Sequence, residues 1–415
     1  MQKDKNQYSE NAFYLDQKDE LNSFRERFFE KENEVYFDGN SLGRLPKNTL
    51  NELSNTITND WGSNLIRSWE DQWIDLPQKV ASKIAELVNV SPDEICAADN
   101  TSLNLYKLAF AALEFQKNRK VVITDQGNFP TDQYILEGLC QTAFPNHTLL
   151  KLKSSNEFGL SLKEIEESIN SEVALICLSH VMYKSGYVYD MKRINELADK
   201  SGVLVLWDLS HSVGAIPLNL KAMGCKMAVG CSYKFLNSGP GASAFLYVEK
   251  ALIEKLHNPI QGWFGHQKPF NFDKDYAEKK GIGKFATGTP NILSMVGITP
   301  GVEIILEAGM ENLRAKSLSL SNFLIELFDA FLVEKGFNLI SPRKNEERGS
   351  HVTLSHENAE LYMDKLLRPE LNQKVYIPDF RPPNFIRIGI APLYNSHYEI
   401  LGIVKRLMEI HDQIE

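Results

Sequence analysis

Between residues 79 and 250, short apolar runs rich in β-branched side chains alternate with stretches of helical period. This is the pattern of βα units feeding a mostly parallel sheet that is covered on both faces. Residues 120–124, 173–179, 203–207, 227–230 and 243–248 predict strands. From 102 to 115, Leu105, Leu108, Ala109, Ala112 and Leu113 recur at i, i+3, i+4 spacing and predict a helix laid on that sheet. Residues 190–201 predict another, with Asp190 as its N-cap and Gly202 as its stop. Beyond residue 300 the texture changes to a long helical segment, 301–334, then short strands and a C-terminal helix, 396–413. The expected division is an N-terminal arm, 1–60, packing with a small α+β domain, 301–415, and a large domain, 61–300, between them. Residues 260–288, rich in Gly, Phe and Lys, have no readable period, and irregular segments of that length inside a domain are often functional.

A chain of 415 residues exceeds what one hydrophobic core usually serves, so two domains with a cleft between them are expected. A net charge of −9 without any long Lys/Arg run argues against nucleic acid or an anionic membrane as the main partner. The first residues carry charges of both signs and no apolar core, and no run reaches the roughly 18 apolar residues of a membrane span. A cytoplasmic protein is expected. Cys96, Cys140, Cys177, Cys225 and Cys231 form no C-x-x-C pair and read as buried thiols rather than disulfides, and no metal site is expected.

Open α/β sheets bind ligands beyond the carboxyl ends of their strands, and polar residues stand there. Asp208-Leu-Ser-His211 follows 203–207, Ser232-Tyr233-Lys234 follows 227–230, Ser179-His180 closes 173–179, and Phe129-Pro-Thr-Asp132 comes soon after 120–124. A buried carboxylate keeps a pyridine nitrogen protonated, and a lysine on a neighbouring strand end can hold an aldehyde carbon, which is the requirement of pyridoxal 5'-phosphate (PLP). Asp208 and Lys234, 26 residues apart with one βα unit between them, meet it, although a helix cap and a surface lysine have the same spacing. The turn Asn237-Ser-Gly-Pro-Gly241 fixes the lysine near the sheet edge. Asn100-Thr101-Ser102 opens a helix where a phosphate could sit on free amides, or where Thr101 or Ser102 simply caps.

The ordered set of motifs resembles the kynureninase family, in the aspartate aminotransferase superfamily of PLP enzymes (fold type I), over nearly the whole chain. The pieces are Tyr36-Phe-Asp-Gly-Asn-Ser-Leu-Gly43, Phe129-Pro-Thr-Asp132, Asp208-Leu-Ser-His211, Ser232-Tyr-Lys234, Gly262-Trp-Phe-Gly-His266, and Arg387 followed by Ala391-Pro-Leu-Tyr-Asn-Ser396. Each is weak alone; their order is specific. The resemblance implies an α/β fold with a mostly parallel seven-stranded sheet in the large domain and a smaller α+β C-terminal domain. It implies that Lys234 is the Schiff-base lysine, Asp208 the partner of the pyridine nitrogen and Phe129 the aromatic on the ring, with Asp132, Ser179 and His211 in the same pocket. Thr101, Ser102 and Tyr233 resemble phosphate-side contacts. Trp263 and Thr289 resemble residues reaching the phosphate from a neighbouring subunit, which implies a homodimer with shared sites. Arg387 is similar to the arginine that binds the substrate α-carboxylate, and Ser41 to a substrate-side residue. The bland alternatives are that Trp263 is an ordinary buried aromatic, Arg387 a surface ion pair and His211 a satisfied core histidine.

The implied reaction is hydrolysis of L-kynurenine, and of its 3-hydroxy form, to anthranilate or 3-hydroxyanthranilate and L-alanine, in tryptophan catabolism or NAD biosynthesis. Lys234 would be the acid–base centre and Tyr233 a proton donor to the β-carbon. Residues 61–73 and 263–266 are expected to line the aryl slot. Thr289 stands where members preferring the 3-hydroxy substrate tend to have asparagine, which points to unsubstituted kynurenine. A cysteine desulfurase or selenocysteine lyase would share Lys234 and Asp208 but needs a cysteine on a C-terminal loop, and none lies beyond Cys231. A non-catalytic PLP-fold binding protein would lack the lysine, and a dinucleotide-binding fold would need G-x-G-x-x-G after residues 120–124.

Overall fold

The five apolar runs all form strands of one sheet, because successive side chains in each are covered alternately from either face. In β5, for example, Ile176 and Leu178 enter one core while Leu175 and Cys177 enter the other, β5 being Val173–Ser179 in the computed structural model, which describes residues 2–371 and 373–414. Among these residues a short strand β1 (Glu34–Tyr36) precedes the main sheet. The sheet itself comprises β2 (Ile95–Ala97), β3 (Val121–Asp125), β4 (Thr148–Leu152), β5, β6 (Leu204–Asp208), β7 (Met227–Gly230) and β8 (Phe245–Val248), in the order β2-β8-β7-β6-β5-β3-β4. β8 runs antiparallel to both its neighbours, and the remaining pairs are parallel. Strand order reverses about β3, with β4 on one side and β5 on the other, so the switch point lies at the carboxyl ends of β3 and β5. The pattern missed β2 and β4, the two edges: one has only three residues and the other is largely solvent-facing.

Helix Thr101–Phe115 buries all five predicted apolar positions on one face of the sheet. Its cap corrects the expectation: Asn100, not Thr101 or Ser102, is the N-cap, its side chain accepting from Leu103 N at 3.0 Å. Asp190 caps Met191–Lys200 as expected, through Arg193 N at 3.1 Å.

The segment predicted as one long helix is two. Ile298–Ala308 packs into the core beneath the main sheet, Gly309 takes φ +79°, and the path from Ile292–Ala308 into Met310–Phe331 bends by 80°. Apolar periodicity continues through the break because each half buries a face, one in each core. Met310–Phe331 and the C-terminal helix His397–Ile414 cover a second sheet of β9 (Asn338–Leu339), β10 (His351–Ser355), β12 (Asp379–Arg381) and β13 (Phe385–Gly389), ordered β12-β13-β10-β9. β11 (Val375–Ile377) pairs instead with β1. Ala12, Val35 and Phe37 of the N-terminal segment are buried in this second core. No single helix among the described residues is long and apolar enough to cross a membrane. All five cysteines are buried and free.

Candidate active site

Lys234 lies in the loop after β7. The N-terminal segment crosses directly over it: Gly43 N donates to Tyr233 O at 2.8 Å. A Cβ on Gly43 would stand 2.3 Å from Lys234 O and 2.7 Å from Asn237 Cα, so only glycine allows the crossing. Below the loop, Ser232 Oγ donates to Ser243 O at 2.7 Å and anchors it to the start of the next segment.

Asp208 ends β6 with its carboxylate buried. Oδ1 accepts from Ser210 N at 2.8 Å and Ser210 Oγ at 2.6 Å. Burial pushes this carboxyl up, against the pull of Lys234 and the Ser210 bonds. Asp132 is buried beside it, and burial and the charge of Asp208 raise it well above the usual carboxylate range. Its Oδ2 has no hydrogen-bond partner among the described residues. Lys234 Nζ lies 2.9 Å from His211 Nε2. Burial first, and then the positive charge of Lys234, hold His211 well below its ordinary value, so it is neutral and accepts this bond from the ammonium. Its Nδ1 has no partner, and the His351 ring stands edge-on at 5.6 Å.

Phe129 precedes helix Pro130–Thr142, with its ring 5.9 Å from Lys234 Nζ and edge-on to Tyr183 at 5.3 Å. Ser179 Oγ donates to Asn128 Oδ1 at 2.6 Å, and Ser179 N donates to the same oxygen at 3.1 Å. Asn128 thus joins the loop after β3 to the end of β5, a role that sequence reading missed although the residue adjoins Phe129. Thr101 and Ser102 occupy the first turn of their helix, and because Asn100 does the capping, neither makes a hydrogen bond through its hydroxyl among the described residues.

On the second sheet, Arg387 of β13 opposes Thr353 of β10 and Asp379 of β12. It is 1% exposed, which rules out the surface ion pair. NH1 donates to Tyr183 O at 2.7 Å and NH2 donates to Ser41 Oγ at 2.8 Å, and NH2 forms an ion pair with Asp379 Oδ2 at 2.6 Å. With the Asn40 amide oriented to satisfy both groups, its oxygen accepts from Arg387 Nε at 2.8 Å. Burial lowers Arg387 to about 10, and Asp379 opposes the fall, so it is charged at neutral pH. Asn40, Asp379 and Ser210 were not singled out in the sequence.

Trp263 and Thr289 are not brought to this cluster within one chain. Trp263 packs among Phe264, Phe270 and Phe272, Thr289 is exposed, and no hydrogen bond or ring contact joins either to Lys234, Asp208 or Phe129 among the described residues. Trp61 is also exposed, and Trp69 and Trp73 pack edge-on against each other at 5.7 Å.

The donor set fits PLP. A buried carboxylate, a lysine amine and an aromatic ring converge at the switch point, Asp132 Oδ2 and His211 Nδ1 are unpartnered, and a helix opens nearby with uncommitted hydroxyls.

The Aminotransferase class-V family matches residues 35–370. Curated relatives named kynureninase include those of Pseudomonas fluorescens, 36% identical over 96% of this chain and 94% of the relative, and Deinococcus radiodurans, 35% identical over 97% and 96%. That of Burkholderia mallei is 33% identical over 97% and 95%. Among solved structures, the apo cysteine desulfurase of Thermococcus onnurineus has a TM-score of 0.77 at 18% identity, covering 93% of this chain and 98% of that one. A C-DES mutant with glycine covalently linked to its PLP cofactor has a TM-score of 0.80 at 17% identity, covering 93% and 99%. At such identities these two share the fold alone.

Proposed function

The chain belongs to the kynureninase family of PLP-dependent hydrolases acting on carbon–carbon bonds, and we propose the following division of that reaction among its residues. The substrate, L-kynurenine, is cleaved between Cβ and Cγ to anthranilate and L-alanine. PLP, when bound, supplies an electron sink for charge developing on the substrate carbons. Asp208 holds a proton at the ring nitrogen, with Asp132 alongside. Phe129 covers the ring face; Ser179 and His211 complete the pocket, and Thr101, Ser102 and Tyr233 hold the phosphate.

Lys234 Nζ takes the α-proton once free of its own proton, and neutral His211 at 2.9 Å fixes where that nitrogen points. Tyr233 delivers a proton to the β-carbon. Burial raises its hydroxyl, so it keeps its proton at neutral pH as a donor must. Arg387 and Ser41 hold the α-carboxylate. Trp263 and Thr289, which make no hydrogen bond or ring contact with Lys234, Asp208 or Phe129 among the described residues, fit residues offered to a second copy, and the exposed Trp61, Leu65 and Ile66 are apolar surface suited to such a homodimer. The threonine at 289 favours unsubstituted kynurenine. A net charge of −9 disfavours nucleic acid or an anionic membrane as the main partner, and an N-terminus with charges of both signs and no apolar core is in keeping with a cytoplasmic enzyme. The buried state of all five cysteines disfavours desulfurase chemistry.

The observation carrying this division is the Lys234–His211 contact beside buried Asp208, with charged Arg387 across the same cleft. Its test is turnover of L-kynurenine by the PLP-loaded protein, followed by anthranilate fluorescence. Activity lost in Lys234→Ala is expected; no turnover by the wild type would leave the fold standing and the function wrong.

A further inference from the structure

An arginine has five N–H donors. Arg387 commits Nε to Asn40 O, one hydrogen of NH1 to Tyr183 O, and NH2 to Ser41 Oγ and, at 3.3 Å, Asn40 O, with Asp379 ion-paired to the same NH2, so a single NH1 hydrogen is left for an incoming carboxylate. A fork-to-fork grip needs two. Arg381, on the adjacent strand β12, has the missing donors. Its Nε donates to the same Asp379 Oδ2 at 2.7 Å, and its NH2 lies 3.4 Å from the same Ser41 Oγ. Its guanidinium makes no other hydrogen bond among the described residues and its side chain is 35% exposed, so three donors are left uncommitted. Asp379, only 15% exposed, thus bridges a buried guanidinium and a half-open one, and Ser41 touches both.

We propose that Arg381 is a second substrate-carboxylate residue: the carboxylate is held between Arg387 and Arg381, and Asp379 is the fixed counter-ion that keeps the two guanidinia side by side. This rests on the assignment of the α-carboxylate to Arg387. The neighbouring Asp38 agrees with an anion entering here, since burial and the negative charge of Asp379 already push its carboxyl up to about 6. Another anion would push it further and neutralise it.

The test compares the PLP-loaded wild type with Arg381→Gln, Arg381→Lys and Arg387→Gln, using L-kynurenine as substrate and kynuramine, its decarboxylated counterpart, as competitive inhibitor. Losing a charge-assisted bond to a carboxylate predicts an L-kynurenine KM raised about 10- to 100-fold in Arg381→Gln. The kcat and the kynuramine inhibition constant should hold, and Arg381→Lys, which keeps the charge without the fork, should fall between. A KM unchanged in Arg381→Gln but raised in Arg387→Gln would overturn the role of Arg381 and leave that of Arg387. Weakening of kynuramine by the same factor would also overturn it, as a structural effect. A KM unchanged in both would remove the Arg387 assignment itself.

Discussion

Ser210→Ala isolates how this fold sets the protonation of Asp208. Two hydrogen bonds reach Asp208 Oδ1, one from Ser210 N at 2.8 Å and one from Ser210 Oγ at 2.6 Å, and the substitution deletes only the second. Asp208 is 6% exposed, so water cannot replace the lost donor. A hydrogen bond to a charged group contributes about 1.5–3 kcal/mol, and about 1.4 kcal/mol corresponds to one pKa unit. Burial already drives this carboxyl up, and Ser210 and Lys234 hold it down. Removing the hydroxyl should therefore raise it further, by about 1–2 units on that conversion. Less carboxylate then remains to keep the pyridine nitrogen protonated, so the acid limb of the kcat/KM profile for L-kynurenine should move to higher pH by a similar amount. The plateau at high pH should change little. Ser210→Thr, which keeps the hydroxyl, should leave the limb near its original position. A Ser210→Ala profile superimposable on the wild type in pH, whatever its height, would refute the reasoning.

Gly43→Ala forces a methyl to within 2.3 Å of Lys234 O, a backbone atom with no freedom to yield. It should cost about 1–3 kcal/mol by urea unfolding, and a larger loss in kcat, about 100-fold if Lys234 is displaced by an ångström. Near-normal kcat would mean that the crossing is soft. Asp38 has a folded-state value of about 6, above its unfolded value, so its protonated form favours folding. That contribution is full below about pH 4 and is lost as pH rises through about 6. Asp38→Asn should then have a higher unfolding free energy in urea than the wild type at alkaline pH, by no more than about 2–3 kcal/mol since Asp38 is only half-buried, with the gap closing in acid. A gap that widens in acid would contradict the sign. Lys107 is fully buried and donates to Asp99 Oδ2 at 2.8 Å and Phe285 O at 2.7 Å. Lys107→Met leaves the carboxylate with Thr287 alone and should cost about 3 kcal/mol, the lower end for a broken buried pair because Asp99 is partly exposed. Urea midpoints measure it.

What the sequence revealed follows from how local each signal is. β5 was legible to the residue because seven consecutive apolar or small side chains have no other use, whereas β4, with Lys151 and three exposed positions, mimics a loop. Gly309 was a visible breaker, overridden by apolar periodicity on either side of it. Asp208 and Lys234 were legible because a polar residue after an apolar strand is conspicuous. Ser210 needed only an Asx-turn reading of Asp208-Leu-Ser, two residues along. Asp379 and Arg381 had no local signal: their meaning arises when β12 is registered against β13, and Ser41 meets Arg387 across 346 residues of chain. Trp263 and Thr289 belong to a third category: within one chain neither makes a hydrogen bond or ring contact with Lys234, Asp208 or Phe129 among the described residues, and the role proposed for them needs a second copy.

The same tertiary logic explains why residues 36–43 gave such a readable motif. Phe37 N donates to Ile377 O of β11 at 2.8 Å and Gly389 N of β13 donates to Phe37 O at 2.7 Å, so the latter bond stitches the start of the segment to the second sheet. A Cβ on Gly389 would stand 1.9 Å from Asn40 Oδ1, so the segment then runs against the β13 backbone where Asn40 and Ser41 engage Arg387. Six residues after Phe37, Gly43 is stitched to the lysine loop of the first sheet. The carboxylate end and the lysine end of the site are therefore spaced by a few residues of one backbone rather than by the packing of two cores. A substrate held at both ends is measured against that backbone. Large-to-small changes in either core should consequently lower stability well before they alter KM, whereas a small displacement within 39–43 should alter KM and kcat while the cores stay intact.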